Sequence, residues 1–121
     1  MSRPIFILLI LLITAAAAAF RLSDLAERPM HGDEAVNAVK LGETMEGRGY
    51  KYDPHEYHGP TLNYLTLIPA WLGGVGSFVE LQEAILRVVP VVFGTLLVLL
   101  LLPLGDGLGR GAAVFASLFM A

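Results

Sequence analysis

The sequence predicts an all-α membrane protein, and three observations carry that expectation. Of 121 residues, 55% are hydrophobic and only 16% are charged, against about 25% charged in soluble domains. Charge is absent from Pro4 to Phe20 and again from Val88 to Leu104. A further apolar run opens at Gly111, after Asp106 and Arg110. The chain alternates apolar, polar, apolar, apolar, and any chemistry falls in the polar block.

The same numbers exclude other classes. Disordered chains combine low hydrophobicity with high net charge, and this one does the reverse. A net charge of −3, with eight lysines and arginines thinly spread, provides no basic patch for nucleic acid. With no cysteine there is no disulfide framework, thiol nucleophile or Cys-based metal site.

The first element is a span over residues 4–20. At about 1.5 Å per residue it comes close to crossing a hydrocarbon core about 30 Å thick. Arg3, the Ile/Leu-rich stretch and the alanines from Ala15 to Ala19 also fit a cleaved signal peptide. The later apolar runs favour an uncleaved helix, since a multi-span protein often begins with one. Either way the polar block lies outside the cytoplasm.

An outer loop over residues 21–84 follows, with helices expected near 33–46 and 61–79. In Arg28-Pro29-Met30-His31-Gly32-Asp33-Glu34-Ala35, Pro29 and Gly32 mark a turn. Asp33 is placed to cap the first of these helices, with Glu34 favoured in its first turn by the helix dipole. Gly47-Arg48-Gly49 ends that helix. The stretch from Gly59 to Val79 is uncharged and long enough for a span. Pro60, Pro69, Gly73, Gly74, Gly76 and Asn63 make it a poor lipid-exposed helix. Tyr64 and Trp71 are side chains of the interface, so the expectation is a helix along the outer membrane surface.

A second span is expected over 85–104, with Arg87 near enough to its end to snorkel. A tight polar turn over Gly105–Arg110 and a truncated span over 111–121 complete the chain, read as one partial transmembrane domain. Arg3 and Arg110 would both be cytoplasmic, as the positive-inside rule prefers.

Two clusters carry candidate chemistry. Asp33 and Glu34 read first as helix-start acids. Read as chemistry, a partly desolvated carboxylate at a bilayer surface can have its pKa raised toward that of a general base. His31, His55, Glu56 and His58 add donors that suit a divalent cation, although no spacing matches a strong metal motif; the cofactor stays undetermined. The loop from Tyr50 to Pro60, with three tyrosines and two histidines, suits sugar or headgroup contacts, or an interfacial aromatic belt.

The order of features resembles a known family. An N-terminal span, then "RPMHGDEAVNAVKLGE", "YKYDPHEYHGPTLNYLT" and "LRVVPVVFGTLLVLLLLPLG" resemble the start of the GT-C superfamily of membrane glycosyltransferases. Within it the chain is similar to dolichyl-phosphate-mannose–protein mannosyltransferase-like proteins, and most similar to the flippase-activity-associated branch. "HGPTLNYL" resembles that superfamily's "PPL-x-Y" segment, with Gly59 replacing one proline. The resemblance implies the N-terminal part of a polytopic GT-C helical bundle. It implies sugar transfer from a polyprenyl- or dolichyl-phosphate donor to a hydroxyl of a protein, lipid or glycan at the extracytoplasmic face. Asp33 would be the catalytic base and Glu34 would orient it or the substrate; His31, Tyr57 and His58 would contact phosphate or sugar. Two other readings stay open: a non-catalytic membrane module or lipid-glycan translocation partner, and an anchored extracytoplasmic domain behind a signal peptide.

Overall fold

In the computed structural model, which describes residues 1–56 and 58–121, every regular element among the described residues is helical. The chain divides into two compact units: Met1–Ser23 with Pro90–Ala121, and Asp24–Val89.

The apolar unit is built on α1 (Arg3–Leu22), the later part of α4 (Glu83–Leu99), α5 (Leu101–Leu108) and α6 (Arg110–Met120). Pro4 enters α1 in its first turn, where its missing N–H would have had no partner. Ser23 closes the helix, its N–H donating to the Ala19 carbonyl. Glu83–Leu108 forms one apolar stretch of 26 residues, interrupted at Leu100. Pro103 accounts for the interruption, since it cannot donate to Leu99 and its ring crowds that carbonyl. α1 and Glu83–Leu108 are both long and apolar enough to cross a membrane.

α1 runs antiparallel to α4 and α5. Phe6 packs against Gly105, Arg21 lies beside Gly94, and Arg110 donates to the Met1 carbonyl at 3.2 Å. Phe6, Ile10, Leu101 and Ala113 form the buried cluster, flanked by Leu102, Val114 and Ala116. Gly105 is required at its place. A Cβ there would fall well inside contact distance of the Phe6 ring.

The expected turn over Gly105–Arg110 is corrected here. Helix α5 continues to Leu108 and the chain reverses at Gly109 alone, whose φ of +84° favours glycine. Burial of Gly105 under Phe6 keeps the glycine-rich stretch helical.

The polar unit holds α2 (Gly32–Met45), α3 (Pro60–Leu72), a 3-10 turn at Phe78–Glu80 and the first residues of α4. Ala38, Leu41 and Leu86 are its buried core, packed by Met30, Met45, Leu67 and Leu81. α2 ends where the glycines forecast. Gly47 takes φ +81°, its N–H donates to Thr44, and the Arg48 N–H donates to Glu43 in a Schellman motif.

α3 closes the same way at Gly74, with Val75 donating to Ala70 and Gly74 to Trp71. It therefore stops at Leu72, short of the expected 79. Thirteen residues reach about 20 Å at 1.5 Å each, too short to span.

Candidate functional site

The first turn of α2 sets the site. The expected cap is corrected: His31, not Asp33, takes the N-cap position, and the helix begins at Gly32. Glu34 reaches back to accept from the His31 backbone N–H at 3.0 Å, the carboxylate half of a capping box. Asp33 is left exposed in the first turn.

Glu34 has a second partner that the sequence did not reveal. Arg87, at the start of α4, donates from Nε to Glu34 Oε1 and from an Nη atom to Oε2, both at 2.8 Å. This is a bidentate pair, the geometry that matches a planar guanidinium to a carboxylate. The same guanidinium donates to the backbone carbonyls of Leu25 at 2.6 Å and Arg28 at 3.0 Å. One side chain thus ties the segment before α2 and the first turn of α2 to α4.

This changes the expected electrostatics. Hydrogen bonds from Arg87, and then from the His31 N–H, hold the Glu34 carboxyl at about 2, below its ordinary 4.5. The upward shift that would suit a general base is reversed at Glu34. It stays ionised at neutral pH and serves to fix geometry.

The aromatic loop is organised around Lys40. Its ammonium pairs with Glu56 at 2.8 Å, donates to the Lys51 carbonyl at 3.3 Å and lies 6.0 Å from the Tyr50 ring centroid. The Tyr50 hydroxyl donates to the His58 backbone carbonyl. Glu56, considered above as a cation ligand, is instead the partner of Lys40. Among the described residues no three His, Asp or Glu side chains gather to hold a metal ion.

Asp33 and Glu34 are therefore neighbours in one turn, and the His31 backbone joins them through Glu34. His58 enters the loop through its carbonyl, and Tyr57 lies outside the described residues. An open groove of about 350 Å³ runs along α2, lined by Ala35, Val36, Val39, Lys40, Glu43 and Glu56. Asp33 precedes Val36 by one helical turn and is not among the residues that line the groove.

Arg87, expected to snorkel from the end of the second span, instead pairs with Glu34; the signal that points to a partner is a lone cation at the head of an apolar run. Nothing local identified Glu34, 53 residues away, as that partner. Compared with protein-family models, curated proteins and solved structures, the chain matches none of them.

Proposed function

We propose that this chain is part of an integral-membrane glycosyltransferase of the GT-C type, moving a sugar from a polyprenyl-phosphate donor to an acceptor hydroxyl. The observation that supports it best is the division of labour between adjacent carboxylates. Glu34 is immobilised by Arg87 and the His31 N–H, whereas Asp33 is exposed in the same helical turn. In this reading Asp33 takes the proton of the acceptor hydroxyl as its oxygen attacks the anomeric carbon with inversion. The carbon–oxygen bond to the phosphate breaks and the polyprenyl phosphate leaves with the electron pair. Glu34 and Arg87 are positioning residues.

The test is Asp33→Asn in the protein that carries this segment, assayed with a polyprenyl-phosphate sugar. The substitution keeps the shape and forfeits a first-turn charge worth about 0.3–1 kcal/mol, so the protein should still insert. Loss of a general base costs on the order of 10²–10⁴-fold in rate. Unchanged transfer would leave Asp33 a helix-start acid and favour the non-catalytic membrane module.

The reading also sets a topology: Met1 and Gly109 cytoplasmic, the polar unit outside. Support comes from the contact of Arg110 with the Met1 carbonyl and from the positive-inside preference for Arg3 and Arg110. With no native cysteine, Ser23→Cys gives a clean label. Modification by an impermeant thiol reagent in intact cells is expected; labelling only after permeabilisation would invert the assignment.

A further inference from the structure

Helices α1 and α5 leave a cleft between them at the end of the apolar unit that carries Arg3. It measures about 350 Å³ and is lined by Arg3, Phe6 and Ile7 on α1 and by Leu102, Pro103 and Asp106 on α5. That volume falls within the about 300–1,000 Å³ of ordinary ligand pockets. Residues three and four apart share a helix face, so each trio forms one wall. Phe6, buried against Gly105, holds the two walls together.

The cleft changes character along its length. The helices are antiparallel and Arg110 donates to the Met1 carbonyl, so Arg3 and Asp106 stand at the same end. One turn deeper, about 5.4 Å along the axis, both walls are apolar, with Ile7 facing Leu102 and Pro103. A charged mouth over an apolar trough matches a headgroup and the first part of an acyl chain.

Charge decides which headgroup. Of the three arginines in this unit, Arg21 donates to the Met120 carbonyl and Arg110 pairs with Asp106 at 3.1 Å. Arg3 has no ion-pair partner among the described residues. Arg110 therefore answers Asp106, and Arg3 leaves the mouth with a net positive charge. A guanidinium matches phosphate in bidentate geometry. Basic pockets between membrane helices take anionic headgroups in this way.

We propose that this cleft binds one anionic phospholipid, its phosphate on Arg3 and an acyl chain along Ile7, Leu102 and Pro103. A zwitterionic lipid fits less well, because its own ammonium group already offsets the charge that Arg3 would meet. In the topology proposed above, on which this detail alone rests, the lipid belongs to the cytoplasmic leaflet. Its role is to brace α1 against α5, and no step of sugar transfer runs through it.

The test places the full chain in phosphatidylcholine nanodiscs that contain a small share of phosphatidylglycerol with a diazirine in its acyl chain. After irradiation, mass spectrometry of peptides locates the adducts. They are expected on the peptides that hold Ile7 and Leu102, about fivefold above those from diazirine-bearing phosphatidylcholine, the factor one arginine contributes at an anionic headgroup. Arg3→Gln, at an exposed position, should abolish that preference. Leu102→Trp fills the trough while keeping every charge, and should abolish the phosphatidylglycerol adducts at Ile7. Nanodiscs expose both faces, so an altered membrane orientation of Arg3→Gln does not affect the result. Equal labelling by the two lipids would overturn the proposal. So would a preference that survives Leu102→Trp, which would mean diffuse attraction to a charged surface. Absence of adducts at Ile7 and Leu102 from either lipid would mean cover by protein and would equally overturn it. Sugar transfer is not measured, so this result and the fate of the glycosyltransferase reading are distinguishable.

Discussion

The two units handle arginine in opposite ways. In the polar unit, Arg87 meets a carboxylate and three backbone carbonyls, those of Leu25, Arg28 and Pro29, and so organises a loop. In the apolar unit, Arg21 donates to the Met120 carbonyl, while Arg110 pairs with Asp106, which is 72% exposed. Shape fills the role of charge there, through Phe6 seated on Gly105 and buried Ala17, Ala113 and Ser117. The contrast shows where each unit stores its specificity. The polar unit keeps it in hydrogen-bonded hubs at Arg87 and Lys40, and the apolar unit in close approach of small residues, as membrane helices commonly do.

The largest effect should come from removing the Arg87 hub. Arg87→Met keeps an apolar stem out to the ε position but removes the guanidinium and strands Glu34 and the carbonyls. Hydrogen bonds to charged groups are worth about 1.5–3 kcal/mol each when buried. With Glu34 a third exposed, a net loss on the order of 2 kcal/mol is expected after solvent screening. Hydrogen exchange should rise from Leu25 to Glu34 and leave α1 and α6 unchanged. Equal protection in wild type and variant would show that apolar packing alone holds the loop.

The same small substitution made in each unit sharpens the comparison. At Gly105 an added Cβ meets the Phe6 ring, and Phe6 is 3% exposed. Overpacking of that kind typically costs about 1–3 kcal/mol. At Gly42 it meets Phe78 Cδ2 at 2.7 Å and Cβ at 2.8 Å, so the backbone of the short turn Phe78–Glu80 must shift. It can do so because Phe78 is 43% exposed and the turn is only three residues long. Gly105→Ala should therefore lower thermal stability more than Gly42→Ala. The reverse order would place the tighter packing in the polar unit.

Part of this was readable in the sequence. Glycine positions ended α2 correctly because a positive φ after a helix is a local requirement that glycine meets most cheaply. The same requirement at Gly74 stops α3 at Leu72, short of the expected 79. Both candidate spans followed from uncharged runs. The other misreadings share one cause, tertiary contact. Gly105-Asp106-Gly107 carries every local sign of a turn, yet burial against Phe6 keeps it in a helix. Asp33 is a better intrinsic cap than His31, yet the Arg87–Glu34 pair fixes Glu34 at the third helical position and so moves the cap to His31. The acid pair was visible as a pair, but its division into a tethered and a free carboxylate depends on a residue far along the chain.

The tether should also make the polar unit pH-sensitive. The Glu34 carboxyl titrates at about 2 when folded, against 4.5 ordinarily. A depressed folded-state pKa contributes stability that is complete above the unfolded value and fades as pH falls toward the folded one. Hydrogen-exchange protection of residues 25–34 should therefore decline between about pH 4.5 and 2. Glu34→Gln should show lower protection at neutral pH and a flatter profile through that window. A wild-type profile as flat as the variant's would remove Glu34 from the account of acid sensitivity.

The smallest effect should come from Asp106→Asn. Its partner Arg110 lies four residues on at 3.1 Å, but the turn at Gly109 falls between them and the aspartate is largely exposed. Such pairs contribute about 0.2–1 kcal/mol, often nothing measurable, because solvent screens the charges and two long side chains must be ordered. Arg110 also keeps its bond to the Met1 carbonyl when the charge on Asp106 is removed. The substitution should leave thermal stability nearly unchanged in detergent, well below the loss at Gly105→Ala. A loss as large as that caused by Arg87→Met would mean that the apolar unit also depends on a charged hub, and the contrast between the two units would fail.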